Sequence, residues 1–298
     1  MSFNLRKILV PIDFSKTSEQ ALRNAGEIAQ NNNAELILMH ALHTNEYHFD
    51  VPDKALRITN KAEIEEIVNK KLGELAAKTS KEFSVPVKKV LVHGKPAAKI
   101  VEWAEEENAD LIVMGTHGAS GFHEYFAGSN ANKVAHLSSV PVITINDGKK
   151  KTGIKNIVLP IDRSRHSREK VEAAVKLASA CKAKLHILGF IDHNRDNGYK
   201  KLQMILGQVE QLAKKEGVEF QTRNLEAENE AVEVLKYGGM VDADLVVTMT
   251  DHESHVGKGL LGTAFKHIIN HSRIPVMSMN PHYYQFSVGD GSSGTNGQ

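Results

Sequence analysis

The sequence predicts an α/β protein built as two tandem open parallel-sheet domains of one type. Three observations lead there. The stretch KILVPIDFSKTSEQAL from Lys7 is echoed by NIVLPIDRSRHSREKV from Asn156. HLSSVPVITIN from His136 is echoed by NHSRIPVMSMN from Asn270, so two copies keep the same order and nearly the same length. That spacing suits whole domains, since solenoid units repeat every 20 to 50 residues or so. Within each copy, short β-branched apolar runs alternate with helical periodicity. Strict β–α alternation implies a parallel sheet with right-handed crossovers and helices on both faces.

The elements follow in order. KILVPID reads as a buried strand stopped by Pro and Asp. Ser15 and Thr17 are candidate caps for a helix whose Ala21, Ala25 and Ile28 share one face. A strand ELILMHAL, a polar loop at 43–58, a long helix over 61–83 and a strand VKKVLVH come next. AAKIVEWAEEEN is a helix and ADLIVMG a strand; after a glycine-rich loop, a helix over 129–137 leads into PVITI. The second copy repeats this order, with strands near 156–162, 184–191, 218–224, 243–249 and 275–279. The domains are read as 1–146 and 154–281, joined by the polar linker DGKKKTG, with a Gly/Ser-rich tail at 282–298.

Composition narrows the function. A length of 298 residues accommodates two cores, and 41% hydrophobic with 24% charged residues is the balance of a water-soluble globular chain. A net charge of +1 gives no electrostatic case for nucleic acid or membrane partners. The apolar run near the N-terminus is interrupted by Asp13, and no apolar stretch approaches the roughly 20 residues that span a bilayer. Cys181 stands alone in a helical pattern, as a packed small side chain in a reducing cytoplasm.

The chemistry gathers in ADLIVMGTHGASGFHEYFAGSNANKVAHLSSVPV. Gly115 and Gly118 are expected to turn with positive φ and bring backbone close to a ligand without a Cβ in the way. Gly128-Ser129-Asn130 opens a helix, whose unpaired N–H groups and positive dipole end suit a phosphate chain. Neither GxxxxGK[ST] nor GxGxxG after the first strand is present. Asp13 ends the first strand and the glycine loop follows the fourth. If those strands are neighbours, both sit at a topological switch point, where open α/β sheets bind ligands. Asp13 has a second reading, as a helix cap.

The spacing Gly115-x2-Gly118-x9-Gly128-Ser129, after ADLIVM and before a helix and VPV, resembles the ATP-binding motif of universal stress proteins. ILVPIDFS resembles the same family's first strand. The resemblance covers residues 5–146 and 154–280 and implies strand order 3-2-1-4-5 with ATP or AMP as ligand. By position it implies Asp13 at the ribose or adenine, the Ala41 backbone beside adenine and Met114 packed on the base. Gly115, Gly118, Gly128, Ser129 and Asn130 would surround the ribose and phosphates, and Pro11 and His117 complete the set. The family's last strand commonly pairs with that of another domain, so an intrachain pseudo-dimer is expected, with Val142 and Val276 at its seam and further homodimerisation open.

Aligning IPV at 274–276 with VPV at 140–142 puts Met249 and His252 where Gly115 and Gly118 stand. Gly262-Thr263 keeps the place of Gly128-Ser129, while Asp251 and Glu253 fall where phosphates would lie. Carboxylates repel a triphosphate, Lys258 offsets them only in part, and magnesium is the one bridge that would reconcile them. The expectation is one adenine nucleotide per chain, in the first domain. The clusters His40, His43, His48 and His252, Glu253, His255 lack strong metal-site spacing. A cytoplasmic stress-response sensor or regulator is the leading reading. A slow ATPase using His117 or His123, or a scaffold whose second domain binds a protein or apolar ligand, are the alternatives.

Overall fold

A computed structural model describes residues 3–43, 47–51, 54–58, 60–116, 129–146, 153–164, 166–191, 196–227, 229–250, 268–269 and 272–281. The first copy runs β1 (Lys7–Pro11), α1 (Lys16–Asn32), β2 (Glu35–Leu42), β3 (Tyr47–Val51), β4 (Lys54–Ile58) and α2 (Lys61–Phe83). It continues with β5 (Val87–His93), α3 (Pro96–Glu106), β6 (Leu111–Gly115), α4 (Ser129–Leu137) and β7 (Val142–Ile145). The second runs β8 (Asn156–Ile161), α5 (His166–Glu169), α6 (Val171–Cys181), β9 (Lys184–Ile191) and α7 (Asp196–Lys215). It ends with β10 (Phe220–Glu226), α8 (Glu230–Met240), β11 (Leu245–Met249) and β12 (Val276–Met279).

Local chemistry sets the helix ends. Ser15 caps α1, its side chain accepting from Ser18 N, and Asn33 closes the helix in the left-handed region at φ 53°. Asn has the short polar side chain that tolerates that region. Asn60 caps α2 by accepting from Ala62 N, and Pro96 starts α3, where its missing N–H costs no helix bond.

Among the described residues ten strands form one sheet in the order β10-β9-β8-β11-β12-β7-β6-β1-β2-β5. Leaving the β3–β4 hairpin aside, each half has strand order 3-2-1-4-5. The central strands are apolar on both faces because helices cover both. The outer strands β5 and β10 carry exposed charge, including Lys88 and Arg223, which blunts a sheet edge. In each half one aspartate fastens the first strand to the fourth. Asp110 Oδ2 accepts from the N–H groups of Arg6 (2.8 Å) and Lys7 (3.0 Å). Asp244 Oδ2 does the same for Lys155 (2.8 Å) and Asn156 (2.9 Å).

The halves join through β7 and β12, among the described residues the only antiparallel neighbours in the large sheet, with Val276 opposite Thr144 and Ser278 opposite Val142. On one sheet face the buried side chains of α1, α2, α6 and α7 form a core continuous across this seam. On the other face α3 with α4, and α8, cover separate cores. Burial, with Glu27 of α1 adding to it, pushes the Cys181 thiol up to about 12, which leaves it protonated and unreactive.

The stretch 43–58 differs from the expected polar loop: β3 and β4 pair antiparallel, Tyr47 opposite Ile58 and Val51 opposite Lys54. Tyr47, Phe49 and Val51 alternate with polar residues, and the strand preference of such residues outweighs the polarity between them. Among the described residues no helix is long and apolar enough to cross a membrane.

Two asparagines lock the seam: Asn146 Nδ2 donates to Ser272 O (2.5 Å) and Asn280 Nδ2 to His136 O (2.9 Å). Replacing both by Ala is expected to destabilise the chain by about 2 kcal/mol, at roughly 1 kcal/mol per bond. Urea denaturation of the whole chain measures this, and a loss below the fitting error would show that the seam does not rely on them.

Candidate functional site

The carboxyl ends of β1 and β6 lie side by side, Ile8 opposite Leu111 and Leu9 opposite Ile112, while β2 and β7 flank them. A cleft of about 200 Å³ opens over these ends. Pro11, Asp13, Ala41, Met114, Gly115, Ser129 and Asn130 all line it, six of them from β1, β2, β6 and α4 and Asp13 from the turn after β1. His117, Gly118 and Gly128 lie outside the described residues. The floor is apolar, with Met39, Met114 and Ile100 buried in the core under α3 and α4. The start of α4 forms one wall, so N–H groups with no partner inside the helix border the cleft at the positive end of its dipole. The arrangement offers an apolar slot for a flat ring, a carboxylate beside it and an anion-seeking helix end.

Asp13 is exposed at the rim, and its Oδ1 accepts from Ser15 N (3.0 Å) and Ser15 Oγ (2.5 Å). Ser15 Oγ in turn accepts from Ser18 N at 3.2 Å. The cap of α1 is therefore Ser15, and Asp13 orients it. The turn between them places Phe14 at φ 63°, a left-handed conformation rare for an aromatic residue, held by this network.

Sequence reasoning set His40 in a histidine cluster and missed its place in the cleft wall. Its Nδ1 lies 2.6 Å from Ile12 O, and because a carbonyl only accepts, Nδ1 carries the proton. Burial lowers the His40 pKa below 6.5, opposed by the bond to Ile12 and by Asp13. The ring packs on Phe14 with centroids 5.1 Å apart. It thus presents a neutral imidazole to the cleft wall and pins β2 to the end of β1. Pro96 and Ile100 were missed too, since only the packing of α3 over the strand ends brings them there. No group of three or more His, Cys, Asp or Glu is placed to hold a metal among the described residues.

Gly115 corrects an expectation. Its φ is not positive, unlike those of Gly94, Gly153 and Gly217. A Cβ there would lie 3.0 Å from Thr17 C and 3.1 Å from Ser18 N. The residue is small because the first turn of α1 sits on the end of β6. Strand spacing alone gives no sign of a helix arriving from elsewhere in the chain.

The second half repeats the frame and changes the walls. Asp162 Oδ1 accepts from Ser164 N (2.9 Å) and Ser164 Oγ (2.7 Å), and Ser164 Oγ accepts from Ser167 N (3.1 Å). Register fixes the other equivalences. Gly115 pairs with Ile145 as Met249 pairs with Met279. Lys7 pairs with Glu35 as Asn156 pairs with Lys184, so Phe190 takes the place of Ala41. Glu230 opens α8 as Pro96 opens α3. Phe190 and Met249 are buried at 4% and 3% exposure, larger side chains at the places of Ala41 and Gly115.

The Universal stress protein family profile matches residues 4–146 and 153–278. Universal stress protein MJ0577 of Methanocaldococcus jannaschii is 33% identical over 157 residues, covering 49% of this chain and 97% of that protein. The crystal structure of a universal stress protein from Archaeoglobus fulgidus superposes at a TM-score of 0.73 with 20% identity, over 94% of this chain and 100% of that one. A universal stress protein solved in complex with cAMP is similar to one half: 23% identity, 44% of this chain, 99% of that one, TM-score 0.36.

Two expectations follow from the geometry. Gly115→Val forces the first turn of α1 off the strand end, at a cost of about 1–3 kcal/mol in urea denaturation; an unchanged midpoint would refute the packing role. His40 titrates below 6.5 in the folded chain. Above that pH the ring is neutral folded and unfolded. Below it the unfolded chain binds a proton that the folded one refuses, so stability falls as pH drops towards the folded value. Imidazole resonances followed by NMR across this range measure the shift, and a His40 value at or above 6.5 would contradict it.

Proposed function

The chain belongs to the universal stress protein family, and from that footing we propose that it binds one adenine nucleotide, ATP or AMP, in the cleft of its first half. It would act as a nucleotide-dependent sensor or regulator. The observation that carries this reading is the cleft itself: the Met114 and Ala41 slot, the Asp13 carboxylate and the α4 N-terminus face one another over the ends of β1 and β6. In this reading adenine lies between Met114 and the Ala41 backbone, and Asp13 Oδ2 accepts from ribose hydroxyls while Oδ1 keeps its hold on Ser15. The phosphates run to Ser129, Asn130 and the α4 N–H groups, with Gly118, Gly128 and His117 supplying the remaining loop. Magnesium, if it accompanies ATP, would bind phosphate oxygens at the open side of the cleft.

One site per chain follows from the substitutions in the second half. Phe190 stands where adenine would meet Ala41, and Met249 projects from the Gly115 position. The second half therefore supplies the test of the first. Ala41→Phe copies a side chain that this fold already accommodates, and it should abolish ATP binding while leaving the melting temperature nearly unchanged. Calorimetric titration of the whole chain is expected to give one site in the wild type and at least tenfold weaker binding in A41F, since a blocked slot forfeits more than about 1.4 kcal/mol. Two equal sites in the wild type, or full affinity in A41F, would overturn the reading.

A further inference from the structure

The second half carries a group that the nucleotide reading does not use. Lys170 has 0% exposure and is among the largest wholly buried side chains. Its ammonium has no hydrogen-bond partner among the described residues. Glu230, at the first turn of α8, likewise has a buried Oε2 with no partner among them. The two feel each other's charge, and both feel Asp162 at the end of β8. Burial lowers Lys170 to about 8, with Asp162 and Glu230 opposing the fall. Burial raises Glu230 to about 7, with Asp162 adding to it and Lys170 opposing.

These groups are not scattered. Asp162 is the counterpart of Asp13, Glu230 of Pro96, and Ser167 of Ser18, all lining residues of the first cleft. Lys170 replaces Ala21, one turn further along the same helix face. Where α1 runs unbroken, the second half breaks between α5 and α6 at Lys170. The second switch point thus carries larger side chains where the first has Ala41 and Gly115, and it has gained a buried cation and a half-buried carboxylate, neither of them hydrogen-bonded to the other. Buried charges are ordinarily paired, because an isolated ion out of water costs several kcal/mol.

We propose that the second domain binds a small zwitterion of the α-amino-acid type at this switch point. The ligand carboxylate accepts from the Lys170 ammonium and the ligand ammonium donates to the Glu230 carboxylate. Charge selects this class. Inorganic phosphate or a nucleotide meets Asp162 and Glu230, which repel it. A bare divalent cation meets Lys170. A neutral polyol offers hydrogen bonds but no counterion to either group. A zwitterion supplies both counterions and adds no net charge to a site whose Asp162 Oδ1 is already occupied by Ser164. Because Lys170 is fully buried, entry requires the chain to yield locally beside it, at the α5–α6 break.

The test uses the whole chain, screened by thermal shift with each proteinogenic amino acid in turn, and with ribose and inorganic phosphate as comparators. At least one amino acid is expected to raise the melting temperature, and phosphate and ribose are not. Calorimetry should then show K170M and E230Q each weakening that amino acid about tenfold or more, the range lost with a charged hydrogen bond. K170M takes from Asp162 and Glu230 the cation they face, so a lower unliganded melting temperature is expected of it, and E230Q, which keeps the side-chain shape, supplies the binding test free of that effect. ATP affinity should stay unchanged in both variants, which separates this site from the first cleft. Should K170M fail to fold, E230Q decides. No amino acid binding to the wild type, a response to ribose or phosphate alone, or full amino-acid affinity in E230Q would overturn the proposal.

Discussion

The pairing of β1 with β6 is the contact on which the rest of this protein depends. These strands lie about a hundred residues apart in the chain, yet they are adjacent in the sheet. Asp110, just before β6, makes the adjacency definite by accepting from two successive N–H groups at the start of β1. Once the strand beginnings are fastened, parallel geometry carries their carboxyl ends to the same level. There Asp13 meets Met114 and Gly115, and the chain leaves β1 towards one face and β6 towards the other. A cleft between diverging connections follows from topology. Its chemistry follows from the side chains at the strand ends.

Because the second half keeps the same fastening through Asp244, its strand ends meet in the same way, and the differences between the halves can be read residue by residue. Ala41 becomes Phe190, Gly115 becomes Met249, Pro96 becomes Glu230 and Ala21 becomes Lys170. The first two changes fill space and the last two install charge. Neither kind alters the strand order, since the sheet is held by backbone bonds and by apolar residues such as Ile157, Val158, Leu245 and Val246 beneath the site. A fold can therefore be kept while its site is rebuilt.

The seam at β7 and β12 gives the two halves a common core. Each half alone would expose the edge of its fifth strand, and pairing covers both edges at once. Thr144 Oγ1 donates to Val276 O (3.2 Å) and Ser278 Oγ to Val142 O (3.3 Å), so small hydroxyls satisfy carbonyls in a strand centre where water does not reach. The core under α1 and α6 crosses the seam without interruption, while the face that carries α3, α4 and α8 stays divided. The first cleft borders the divided side, through α3 and α4.

The sequence by itself determined the repeat, the alternation of strands and helices, and the neighbourhood of the site. KILVP and LIVMG are apolar on every residue that two helix layers must cover, and Ser15 marks a helix start by chemistry local to a single turn. Such signals depend on residues a few positions apart, so they are legible in one dimension. The hairpin at 47–58 was hidden because its alternation is short and mixed with charge. The work of Gly115, the place of His40 against Ile12 and the burial of Lys170 were decided by tertiary structure alone. Each depends on what a distant segment brings against it: the first turn of α1, the end of β1, the start of α8. A glycine, a histidine and a lysine look the same in a sequence whether they face water, a ligand or a helix packed at 3 Å.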